Sequence, residues 1–202
     1  MLFASRRRAS VARALYVVLG SNLLLAAAVT LHAATGDPDD LLGLCRVESL
    51  PEDIRGSLSR NFSAWKIQEP TDLSARARTR WAVERPLTCP GIAAGHFQNA
   101  KSSSYALLLI PANHSSAAFR LLIFTQQAGQ QFYGFKAVAQ GDGAGDAFVH
   151  TVPTVRFFES TSKWVSHSRV SEAVMFVDSA AQQANLYIWA DDSYQQQQVN
   201  YQ

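Results

Sequence analysis

The run Tyr105-Ala-Leu-Leu-Leu-Ile110 is apolar throughout and stops at Pro111. Six residues are too few for a stable isolated helix, and no position in the run is polar enough to prefer water. The run therefore predicts a strand buried on both faces, and whatever fold the chain adopts must cover it from two sides. Just ahead of it stand Cys89-Pro90-Gly91 and the small, polar stretch Gly95-His-Phe-Gln-Asn-Ala-Lys-Ser-Ser-Ser104. Such a stretch either turns the chain between two strands or holds a ligand, and the first reading is the polar connector.

The elements around this strand are legible from periodicity. Ser49 to Phe62 reads as a helix with Ser49 as N-cap, Pro51 in the first turn, Glu52 and Asp53 at the positive end of the dipole, and Ile54, Leu58 and Phe62 on one stripe. Trp65-Lys-Ile67 is a short extended segment, and Asp72 or Ser74 starts a second short helix running towards Trp81. Beyond Pro111, β-rich runs follow at Ala118–Thr125, Phe132–Ala139, Val155–Phe158, Ala173–Val177 and Leu186–Trp189. Gly141-Asp-Gly-Ala-Gly-Asp146 is expected to be the most flexible stretch, and Gln195 to Gln198 a frayed polar tail. The fold class is α+β: a mostly antiparallel β-sheet with one or two short amino-terminal helices packed on it and one disulfide.

Gly95, Phe97, Tyr105 and Ala106, with Cys89-Pro90-Gly91 ahead of them, resemble the spacing of a loop in secreted bacterial FG-GAP or VCBS-type proteins. There, Gly-Asp-Phe-Asn-Gly-Asp-Gly-x-x-Asp-Tyr-Ala wraps calcium and leads into a buried strand. The resemblance puts the first ligand position on His96, the third on Gln98, the fifth on Ala100 and the ninth on Ser104, with Lys101 in place of a glycine. Calcium needs several carboxylate oxygens, so the resemblance implies a loop of kept geometry and a lost calcium site. Leu186-Tyr-Ile-Trp189 followed by Asp191-Asp192 also resembles the Tyr-Tyr-Trp-x-Asp-Gly ending of that group, with Ser193 where its glycine stands.

Met1 to Ala34 has the parts of an export signal: Arg6-Arg7-Arg8 and Arg13, an apolar run from Ala14 to Leu31, and small residues at Ala33 and Ala34. The first reading is a cleaved secretory signal; the alternative is an uncleaved anchor in the inner membrane, the only membrane attachment expected. The expected location is periplasmic or secreted, with residues 35–202 as one exported domain. Removing the four arginines of this segment, which holds no acid, turns a formal charge of +2 into −2. No basic patch interleaved with aromatics then argues for a nucleic-acid partner. Cys45 and Cys89 are the only two cysteines, and an oxidising compartment pairs them by default.

Chemistry is thin. No nucleophile elbow, zinc helix or phosphate loop is present. His96, His114, His150 and His167 read as scattered surface residues, a three-histidine zinc or copper site being the competing reading. Asp142 and Asp146 are too few for a cation site of their own. Glycoside chemistry would need Glu159 or Glu172 paired with Asp178. The chain is accordingly expected to be a non-enzymatic binding or interaction domain without cofactor or metal, for a protein or saccharide partner; the alternative is a periplasmic hydrolase of cell-wall material. Tyr187 and Trp189 share a strand face, for core packing first and ligand stacking second. The candidate ligand-binding aromatics are Trp164, within Ser160 to Ser168, Tyr133 and Tyr194.

Overall fold

Two antiparallel sheets lie face to face, and each carries one helix on its outer side. The computed structural model describes residues 45–84, 88–114, 116–127, 132–154 and 170–200. Helix α1 (Glu52–Asn61) precedes strand β1 (Trp65–Ile67), and helix α2 (Ala75–Glu84) precedes β2 (Ile92–Gly95). Then come β3 (Ser104–Pro111), β4 (Ala118–Gln126), β5 (Tyr133–Asp142), β6 (Ala147–Pro153), β7 (Glu172–Asp178), β8 (Gln183–Ala190) and β9 (Ser193–Asn200). The first sheet runs β1-β3-β4-β5, with β2 sharing the β1 side of β3; the second is the meander β6-β7-β8-β9. The expected α+β class, mostly antiparallel, is what the chain forms.

The double burial of β3 is met by this layering. Ala106 and Leu108, with Leu121 and Ile123 of β4, face the second sheet, where they meet Val149, Val174 and Phe176. Leu107, Leu109, Leu122 and Phe124 face the other way, onto Ile54 and Phe62 of α1. The second sheet repeats the scheme: Phe148, Met175 and Leu186 point outward onto Ala77 and Trp81 of α2. Alternation along each strand thus feeds two cores at once, which explains runs without a polar face. A single sheet was expected; two form because β7 and β8 are as continuously apolar as β3 and need the same two-sided cover.

The disulfide Cys45–Cys89 forms, with Cα atoms 5.0 Å apart and both residues buried in the core under α1. It ties the segment ahead of α1 to the start of β2, and it fits an oxidising, non-cytoplasmic compartment. Among the described residues no helix is long and apolar enough to cross a membrane.

Several local expectations are corrected. Ser49 is not the cap of α1: its hydroxyl donates to the Arg46 carbonyl, and Pro51 takes the N-cap position. Ser74 does cap α2, its Oγ accepting the Ala77 N–H at 3.2 Å. Gly141 and Asp142 extend β5, and the rest of the glycine-rich stretch is a pinned crossover between the sheets. Asp146 accepts the Ser74 hydroxyl at 2.6 Å, the Gly145 carbonyl accepts Ser74 N–H, and buried Gln68 donates to the carbonyls of Ala144 and Ala147. Residues that are flexible in isolation are here held by polar partners from the helical layer. Gln195–Gln198 is not a frayed tail but the middle of β9, paired along its length with β8. Two of its glutamines find local partners, Gln195 Nε2 donating to Ser193 Oγ at 2.7 Å and Gln196 Nε2 to Asn185 Oδ1 at 3.0 Å, and Val199 anchors the end of the strand in the core. Strand β6, unassigned from the sequence, is buried at Ala147 to His150. Val155–Phe158 lies outside the described residues.

Candidate functional site

The loop between β2 and β3 is held at several points along its length. Gly95 pairs with Ser104, so the loop closes a hairpin, as the connector reading expects. Phe97 is its anchor: fully buried, it inserts between the two sheets. Glu172, at the start of β7, accepts the His96 N–H at 2.7 Å and lies 3.3 Å from that ring's Nδ1. Asn99 folds the tip by accepting the Lys101 N–H at 2.9 Å. Ser104 is buried against the Thr125 hydroxyl at 3.1 Å. With its apolar anchor inside and both ends fixed, the loop presents Gln98 and Asn99 outward.

They form one wall of a cleft of about 370 Å³. Its lining also includes Ile123 and Thr125 of β4, Gln127, Phe135 and Lys136 of β5, and Trp189 of β8. Trp189 is half-buried, unlike Tyr187 on the same strand face, which is 2 % exposed and packed in the core between the sheets. The shared face therefore divides: Tyr187 packs, and Trp189 reaches the opening. Burial pushes the Tyr187 phenol up to about 12.

Two neighbours fix Trp189. Tyr194, its cross-strand partner, meets it edge-on, with centroids 4.9 Å apart at 70°. On the ring face, the Lys136 ammonium sits 4.4 Å from the centroid and donates to the Asp192 carbonyl at 3.2 Å. Tyr194 is itself held, its hydroxyl 3.4 Å from Thr125 Oγ1; burial pushes its phenol up, and hydrogen bonds to Thr125 and Gln98 pull against that.

Of the expected aromatics, Tyr133 and Tyr194 do not come together. Tyr194 braces the cleft from behind Trp189, packed on the core between the sheets. Tyr133 packs on the opposite face of the first sheet, edge-on to Tyr105 in the core under α1. Burial raises its phenol as well. A sheet separates the two, so they cannot line one site. Trp164 lies outside the described residues, as do Glu159 and His167. Sequence reasoning missed Lys136 and Thr125, which come from strands whose pairing with the loop and with β8 is not written in any local motif.

The other candidates are also spread out. Glu172 and Asp178 are the two ends of β7, six residue steps or about 20 Å apart, too far for a glycosidase pair. Glu172 is occupied with holding the loop. His96 pairs with Glu172, His114 lies 3.7 Å from Asp72, and His150 is buried in β6. Asp146 is bonded to Ser74. Among the described residues no group of three or more histidine, cysteine or carboxylate side chains is placed to hold a metal ion. A second cavity, of about 290 Å³, lies between α1 and β1. Lys66 on its wall is already paired with Asp72 at 2.9 Å and Glu69 at 3.4 Å.

No protein-family model matches the chain, no curated protein matches its sequence, and no solved structure matches its fold.

Proposed function

We propose that the chain is an exported, non-enzymatic binding domain that takes a saccharide in the cleft beside Trp189. The observation that carries this reading is a half-exposed indole fixed by Tyr194 and Lys136 at a cleft whose polar lining includes the amides of Gln98, Asn99 and Gln127. Amides offer donors and acceptors together, which suits a hydroxyl-dense ligand, and an aromatic ring supplies apolar contact for a sugar's C–H face. On this reading Met1 to Ala34 directs the domain to the periplasm or the exterior, where the disulfide persists. The resemblance of Gly95–Ala106 to an FG-GAP calcium loop then describes a scaffold loop kept for its shape, with its former ligand positions turned to recognition and packing.

The test is a titration of the ¹⁵N-labelled, oxidised protein with a panel of envelope and extracellular oligosaccharides, followed by NMR. The Trp189 indole N–H and the Gln98, Asn99 and Gln127 side-chain amides should shift together, and Trp189→Ala should weaken binding at least tenfold. Shifts confined to other surfaces, or none with any saccharide, would overturn the proposal. A stoichiometric protein captured on the same face would replace the saccharide by a protein partner.

A further inference from the structure

The lining of the cleft is electrically lopsided. Among the residues that wall it, Lys136 is the only charged side chain; Gln98, Asn99, Thr125, Gln126 and Gln127 are neutral. The carboxylates of the adjoining turn, Asp191 and Asp192, are not among its walls. Lys136 forms no ion pair with a described carboxylate, whereas Lys66 forms two. Its ammonium meets a backbone carbonyl and an indole face, both uncharged. An ammonium has three N–H donors, and the Asp192 carbonyl takes one. A full positive charge with donor capacity to spare thus stands at the edge of a pocket of amides.

Resting on the saccharide reading above, we propose that the cleft selects an acidic sugar, one bearing a carboxylate on the ring or on a short substituent, with Lys136 as the group that reads the charge. A cation would be repelled by Lys136. A phosphate ester carries up to two charges and would meet here a single ammonium with no arginine fork beside it, so the balance of charge favours a carboxylate. A single carboxylate among hydroxyls matches one ammonium among amides. The device also couples charge to stacking. Lys136 covers one face of Trp189, and a carboxylate that draws the ammonium off the ring uncovers that face for the sugar.

The experiment compares matched pairs of oligosaccharides, uronate-, muramate- or sialate-containing against their neutral counterparts, by calorimetry and by the Trp189 indole resonance. Acidic members should bind at least tenfold tighter and weaken as ionic strength rises from about 50 to about 300 mM, as screening of an exposed ion pair requires. Lys136→Gln should bring the acidic affinity down to about that of the neutral sugar, and Lys136→Arg should restore most of it, with the Tm of both variants within about 2 °C of the parent. Equal affinity for the two members of a pair, with the Trp189 resonance still shifting, would overturn the charge selection while leaving saccharide binding intact. No shift at Trp189 with either member would overturn both.

Discussion

Gln68 shows how much one side chain can carry. It follows β1, is fully buried, and its amide donates to the carbonyls of Ala144 and Ala147 at 2.6 and 3.0 Å, tying the first sheet to the crossover that enters the second. Gly91 packs directly on its backbone: a Cβ there would lie 2.5 Å from the Gln68 carbonyl oxygen, so only glycine fits. A buried carbonyl stripped of its donor costs the desolvation of that group, so Gln68→Ala should destabilise by about 2–4 kcal/mol in urea unfolding. Gln68→Glu should do no better, because it removes the donor and buries an acid. A loss under about 0.5 kcal/mol in both would mean that water replaces the amide. Nothing in the sequence around Trp65-Lys-Ile67 marks this glutamine as structural. Its partners are 76 and 79 positions away, and no local pattern reports them.

At the scale of elements, the turn joining β8 to β9 is the piece most at odds with its own residues. Asp191 and Asp192 both have positive φ, 49° and 59°, between the paired Ala190 and Ser193. This is the two-residue hairpin geometry that favours Asn-Gly or Asp-Gly, and glycine is missing from it. Asp192→Gly should therefore raise stability by about 0.5–1 kcal/mol, seen as a Tm increase of a few degrees. The carbonyl that holds Lys136 survives the change, so a lower Tm would show that the Asp192 side chain contributes to the fold. The same turn aligns Trp189 with Tyr194, which makes the hairpin the frame of the cleft. The aromatic run at β8 was legible in the sequence. Its division into a core tyrosine and a half-exposed tryptophan was not, because both point the same way and only their distance from the sheet's edge differs.

At the scale of the molecule, the layers divide the stabilising contacts among the described residues into three cores: under α1, between the sheets, and under α2. The disulfide belongs to the first of these alone. It closes a loop with a sequence separation of 44, for which the chain-entropy model gives about 3–4 kcal/mol. Reducing it, or replacing both cysteines by alanine, should lower stability by about that much. Hydrogen exchange should speed up first in α1 and β1, while β7 and β8 keep their protection. Uniform loss of protection would mean that the three cores unfold as one unit. The cleft borders the core between the sheets, so the reduced protein should still bind at temperatures where α1 is already loosened.

By itself the sequence determined β1, β3, β4, β5, β7 and β8, the helical stripe of Ile54, Leu58 and Phe62, the cysteine pair and the mostly antiparallel class, because each follows from spacing within a few residues or from counting. It also pointed to the β2–β3 loop, through Gly95 and Phe97, and to the aromatics at the end of β8. Only the tertiary structure decided that there are two sheets, that the glutamine run is an edge strand, that Glu172 holds a loop and does not join Asp178, and that Lys136, Thr125 and Trp189 share one cleft. The physical reason is the same in each case. These outcomes depend on which strand neighbours which and in what register, and pairing energies between residues tens of positions apart leave no periodic trace in the chain.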